Sequence, residues 1–179
     1  VLSDGQSWGV WSQRVPSAPK FFRFPISPGL SPNIFQGFGL PVLDQAVYIE
    51  GSTNGYKMLF TNGSYLPNST ATAYNITCQP ESPVPLTLAL VWTDPPGSLN
   101  SQKQLVNDLD IVVVDPNGVP HLPLCLDPTP ANVTKNATEH ADHTNNVEQV
   151  TIDNPPAGVY TIKVKGYSEP KGPQAYAIA

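Results

Sequence analysis

Charge is what this sequence has least of. Only 13% of its residues are Asp, Glu, Lys or Arg, about half the share usual in soluble domains. The balance is acidic, with a net charge of −5, so there is no basic field to hold phosphate backbones or anionic lipid, and nucleic acid is not an expected partner. No apolar run approaches the ~20 residues needed to cross a bilayer, so no membrane span is expected. The N-terminus has neither an initiator Met nor the basic and apolar regions of a signal peptide, which suggests a processed chain or a fragment. Cysteine is reduced to two residues, Cys78 and Cys125. No collagen-like or heptad repeat is present.

What is abundant is punctuation. The 21 prolines and 13 glycines are scattered between apolar runs rather than gathered in one tract, the pattern of turns between strands. At 179 residues, 40% of them hydrophobic, the chain suffices for one domain that buries roughly 70% of its unfolded surface.

Residues 1 to about 36 have no sustained period and carry Trp8, Trp11, Phe21, Phe22 and Phe24 among Pro and Ser, as in an irregular arm lying on another surface. Residues 40–48 are the one helix candidate, with Pro41 in the first turn and Leu43, Ala46 and Val47 at helical spacing. From Gly51 the pattern is β. Leu86-Thr-Leu-Ala-Leu-Val-Trp92, Leu109-Asp-Ile-Val-Val-Val114 and Val147-Glu-Gln-Val-Thr-Ile152 are dense in β-branched and apolar residues. Two further strands alternate, placing Tyr160, Ile162 and Val164, and likewise Tyr74, Ile76 and Cys78, on inward faces. Asp115-Pro-Asn-Gly118 and Asn154-Pro-Pro-Ala-Gly158 are turn signals between runs. The expected fold is all-β, a jelly-roll or β-sandwich barrel over residues 51–179, preceded by the arm and short helix of residues 1–50.

Five Asn-x-Ser/Thr sequons, at Asn62, Asn68, Asn75, Asn132 and Asn136, favour a secreted, glycosylated chain. In that setting an even cysteine count suggests a Cys78–Cys125 disulfide, worth ~2–4 kcal/mol through restriction of the unfolded chain.

Several segments, in order, resemble the C-terminal jelly-roll barrel of secreted subtilisin-like serine proteases, functionally analogous to the P domain of kexin-type enzymes. They are Val91-Trp92-Thr93-Asp94-Pro95-Pro96-Gly97-Ser98, Leu105-Val106-Asn107-Asp108-Leu109-Asp110, Asn145-Asn146-Val147-Glu148, Pro155-Pro156-Ala157-Gly158-Val159-Tyr160-Thr161-Ile162-Lys163-Val164 and Gly172-Pro173-Gln174-Ala175-Tyr176. Upstream, Gln36-Gly37-Phe38-Gly39-Leu40-Pro41-Val42-Leu43-Asp44-Gln45-Ala46 is similar to the turn and short helix that end such catalytic domains, although Leu40 stands where the family has a polar residue. The resemblance implies that residues 1–50 are the tail of a protease domain and residues 51–179 a non-catalytic accessory domain packed on it. A triad needs Asp, His and a nucleophilic Ser in mutual reach, and His121, His140 and His143 lie in none of the family's catalytic motifs. The alternative is an extracellular module binding carbohydrate or protein in a non-enzymatic assembly.

An oxygen cluster is the candidate site. Asp108 and Asp110, two apart on one strand, share a face that continues as Val112 and Val114, and Asn146 and Glu148 repeat the pattern ahead of Val150 and Ile152. If the two strand starts meet at one rim of the core, their carboxylates need a hard cation with six to eight oxygen ligands. The expected ion is calcium, with Asp108, Asp110 and Glu148 as principal ligands and Asp142, Asn145 and Asn146 as lesser ones. Calcium is also what the resemblance implies, while turn capping by the same residues is the plainer reading. Asp94 sits in a further loop that could come near. His140-Ala-Asp-His143 offers two imidazoles, but zinc wants three or four ligands and no third is evident nearby, so the segment reads as a polar loop. Trp92 closes an alternating apolar strand and reads as core rather than as a sugar-stacking platform.

Overall fold

The computed structural model describes residues 32–34, 61–64, 71–78 and 85–179, with only the backbone described for residues 61–64, 71, 72, 77 and 78. The helix candidate at residues 40–48 and most of the arm lie outside the described residues.

The described residues form an all-β fold. Its strands are β1 (Thr61–Ser64), β2 (Ala71–Cys78), β3 (Leu86–Trp92), β4 (Asp108–Val114), β5 (Pro120–His121), β6 (Leu124–Cys125), β7 (Thr138–Glu139), β8 (Val147–Ile152), β9 (Gly158–Ser168) and β10 (Ala175–Ile178). They build two four-stranded sheets, ordered β1-β10-β3-β8 and β2-β9-β4-β5, and a small β6-β7 hairpin. Every pairing is antiparallel.

The alternating runs explain the core. Leu86, Leu88, Leu90 and Trp92 of β3 and Val150 and Ile152 of β8 meet Leu109, Ile111 and Val113 of β4 and Tyr160, Ile162 and Val164 of β9 in one buried cluster. Side chains two apart on a strand share a face, so each run presents one apolar face, and the two sheets close over both. Tyr74 on β2 and Tyr176 on β10 join the sheets through their hydroxyls, 2.6 Å apart. Buried phenols need such a partner.

Turn chemistry fixes the ends of the strands. Asp115 Oδ1 accepts from the backbone N–H groups of Asn117 (2.9 Å) and Val119 (2.8 Å), and Gly118 adopts a φ of 83°, closing the turn between β4 and β5. At the start of β9, Gly158 has a φ of 146°, and a Cβ there would lie 2.6 Å from Pro116 Cγ. Only glycine fits both demands. Upstream of the sandwich, Asn33 forms an isolated antiparallel bridge with Asn136, and Ala137 N–H donates to the Pro32 carbonyl at 2.7 Å. A short piece of the arm thus lies against the segment that leads into β7.

The expected disulfide is not formed in this structure. Cys125 is a free, buried thiol, whose sulfur turns to the carbonyl of His140 at 3.1 Å across the β6-β7 hairpin. The Cys78 side chain lies outside the described ones. Burial, followed by the nearby carboxylates of Asp142 and Glu148, pushes the Cys125 thiol up to about 12. The thiolate is the reactive form. At pH 8 Cys125 of the native protein should therefore resist iodoacetamide at least ~100-fold longer than in denaturant, as read from the mass of its tryptic peptide. Complete native labelling would mean that the β6-β7 hairpin opens. No labelling in unreduced denatured protein would restore the disulfide.

Candidate metal centre and its polar surroundings

At the start of β4 the register shifts between Asp108 and Leu109. Beyond this irregularity Leu109, Ile111 and Val113 face the core, whereas Asp110, Val112 and Val114 are only partly buried. The even-numbered face carrying the carboxylates is therefore the outer face of the sheet, not the core face expected from the sequence. Its alternative, Leu109-Ile111-Val113, has no polar member, so burying it costs no carboxylate desolvation. On β8 the expected inward face of Glu148, Val150 and Ile152 is the observed one.

Of the six expected ligands, the structure gathers Asp108 and Asp110 and engages the other four elsewhere. Asp142 caps its own loop, accepting from Thr144 N–H (2.8 Å) and Asn145 N–H (3.1 Å) and from the Asn145 amide (2.7 Å). Asn146 donates its amide to the Trp92 carbonyl at 2.9 Å. Glu148 Oε2 accepts from Ile111 N–H at 2.7 Å. That N–H is open because β5 pairs only with Val113 and Val114, leaving the β4 edge at Ile111 to be completed by a side chain from the facing sheet.

The third member of the cluster is His143. Asp108, Asp110 and His143 place one ligand atom each within 4.8 Å of one another. The Nδ1 atom of His143 is 3.3 Å from Asp108 Oδ2 and 3.6 Å from Asp110 Oδ1. Its ring is stacked on Tyr167 of β9, with centroids 4.0 Å apart. Lys103 approaches the same oxygen of Asp108, with Nζ 3.0 Å from Oδ2. The sequence offers His143 only beside His140, in a polar loop, because its neighbours in space come from β4 and β9. Lys103 had a readable signal, being the only basic residue in the loop between β3 and β4.

Asp108 is almost wholly shielded, with 1% of its side chain exposed. Burial raises the Asp110 carboxyl above its ordinary value, and Asp108 and Asp142 add to this against the opposing His143 and Lys165. Glu148 is pushed up to about 9, first by burial and then by Asp110, Asp142 and Asp108, against the Ile111 N–H that favours the anion. Asp110 Oδ1 and Glu148 Oε1 are buried without a hydrogen-bond partner. The set brought together is two carboxylates and an imidazole, and nothing in it identifies calcium.

The remaining motif residues act as fasteners. Trp92 is buried as expected, and its Nε1 donates to the Asn107 carbonyl at 3.0 Å. Asp94 accepts from Val106 N–H and Asn107 N–H, both at 2.7 Å. Asn107, fully buried, donates to the Lys171 carbonyl (3.0 Å) and to Gln174 Oε1 (2.9 Å), and accepts from Lys171 N–H (3.0 Å). Gln174 in turn donates to the Thr93 carbonyl at 3.0 Å. Two loops at this end are thereby tied to the end of β3. Each histidine faces an acceptor: His140 Nδ1 donates to the Ala141 carbonyl at 2.9 Å, and His121 Nε2 lies 3.9 Å from Asp115 Oδ2.

No helix among the described residues is long and apolar enough to cross a membrane. No family model matches the chain, and no curated protein matches it.

Proposed function

We propose that the chain is the C-terminal accessory domain of a secreted subtilisin-like serine endopeptidase, not itself catalytic, which packs on the protease domain of the same parent and stabilises it. The observation that carries this reading is the use made of the motif residues. Trp92, Asp94, Asn107, Asn146 and Gln174 spend their polar atoms on backbone and loop closure, as a scaffold requires. The strand order supports it further. Setting the β6-β7 hairpin aside, the sheets read first-eighth-third-sixth and second-seventh-fourth-fifth, an order that supports the jelly-roll reading. Sequons at Asn75 and Asn136 occupy exposed positions open to a glycan on a secreted protein.

The test uses the gene that encodes the chain, expressed with the reading frame preceding Val1. A fluorophosphonate probe should label a serine upstream of Val1 and none within residues 1–179. Removing residues 61–179 should lower the temperature of half-inactivation. A labelled serine inside the chain, or no labelled serine anywhere, overturns the proposal.

A further inference from the structure

His143 Nδ1 faces both carboxylates, with one long hydrogen bond to Asp108 and none to Asp110. N–H···O bonds cluster at 2.7–3.2 Å, whereas Nδ1 stands 3.3, 3.4 and 3.6 Å from Asp108 Oδ2, Asp108 Oδ1 and Asp110 Oδ1. Zinc bonds to imidazole nitrogen and carboxylate oxygen are about 2.1 Å long, and tetrahedral ligands at that radius are separated by about 3.4 Å. One of the converging atoms, Asp110 Oδ1, is shut off from water and has no hydrogen-bond donor. Such an atom is rare and calls for a missing partner. Because Tyr167 stacks on the imidazole, the ring plane is held, so the nitrogen reaches the carboxylates without ordering a mobile side chain.

We propose that Asp108, Asp110 and His143 form a three-ligand site for a divalent cation of the zinc class, with the fourth position open to water or to a donor from a partner. Two carboxylates and a neutral imidazole balance the double charge of the ion. The imidazole nitrogen selects against calcium, which prefers oxygen alone and would need at least three further ligands. Asp142 lies close enough to interact electrostatically with Asp110 and adds negative potential. Lys103 competes: its ammonium lies on Asp108, but its side chain is half exposed and is free to swing into solvent as the ion enters. The proposal rests on this cluster alone and stands whether or not the parent is a protease.

Chelator-stripped protein of residues 1–179 should be titrated with zinc and with calcium by calorimetry, and with cobalt by visible absorption. One zinc should bind per chain, with a cobalt spectrum of four- or five-coordinate intensity, and calcium should bind at least ~10-fold more weakly. His143→Gln and Asp110→Asn should each weaken zinc binding by about 10-fold or more, with the circular dichroism spectrum unchanged. Lys103→Ala should tighten binding by removing the competing cation, an effect that a purely structural ion pair does not produce. His140→Gln tests the alternative in which His140 and His143 bind zinc as a loop pair, and it should leave affinity within about twofold. Loss of binding in His140→Gln, tighter binding of calcium than of zinc, or zinc binding indifferent to His143→Gln would each overturn the proposal.

Discussion

In chelator, the protein should be most stable at mildly acidic pH and should lose stability steadily as the pH rises towards 9, and Glu148→Gln should remove most of that slope. The cause is a buried carboxyl pushed up to about 9 that has an ordinary value near 4.5 in the unfolded chain. Below pH 4.5 both states hold the proton, and the stabilising contribution is fully present. Between 4.5 and 9 the folded state keeps a proton that the unfolded state has released, so folding weakens by up to about 1.4 kcal/mol per pH unit. Asp110, raised by burial, contributes in the same direction. The amide of Glu148→Gln keeps an oxygen for Ile111 N–H and cannot ionise. At pH 8 the variant should be more stable than the native protein by roughly 2 kcal/mol or more, with the two nearly equal at pH 4.5. Denaturant titrations at pH 4.5, 6 and 8 measure this. A flat native profile, or a variant less stable at pH 8, would show that Glu148 folds as an anion matched by its surroundings.

The same residue shows how far the sequence could be read. Strand existence was legible wherever one parity of a run was apolar and the other was not. Period alone points Tyr160, Ile162 and Val164 on β9, and Leu86, Leu88 and Leu90 on β3, inward, and their burial agrees. On β4 the period failed, because Val112 and Val114 are as apolar as Ile111 and Val113. What decides the face there is the register shift after Asp108 and the cost of burying Asp110, neither of which is written locally. The pairs β5, β6 and β7, two residues each, are too short to have a period. Their existence depends on tertiary closure. The candidate site was half legible for a related reason. Two carboxylates at positions i and i+2 share a face in any strand, so Asp108 and Asp110 could be paired from sequence. His143 joins them only because β9 brings Tyr167 alongside, and Glu148 leaves the set only because the edge of β4 exposes an unpaired N–H.

Asn107 should be the most sensitive polar position among the described residues, and its two obvious replacements should differ in an informative way. Its side chain makes three hydrogen bonds, two as donor to Lys171 O and Gln174 Oε1 and one as acceptor from Lys171 N–H, in a site with no exposure to water. Asn107→Ala removes all three and strands buried partners. At ~1–3 kcal/mol for each group left unsatisfied, and allowing some water to enter the space, a loss of about 3–4 kcal/mol is expected. Asn107→Asp keeps the shape and the acceptor, but it turns an oxygen towards two other oxygens and places a charge in a buried site. It should therefore be worse than Ala at pH 7 and recover relative to Ala at pH 4, as the new carboxyl takes up a proton and can donate to one of those oxygens. Chemical denaturation of both variants at the two pH values measures this. The order Ala worse than Asp at pH 7 would mean that volume, not donor direction, matters at this position. The segment held by Asn107 is the one carrying Gln174, whose amide bonds to Thr93 O at the end of β3. Releasing it should therefore raise hydrogen exchange first in β10 and in the loop between β9 and β10, while β4 and β9 stay protected by their long register. The two sheets would then open from the end fastened by Asn107, and the paired strands β4 and β9 would be the last to exchange.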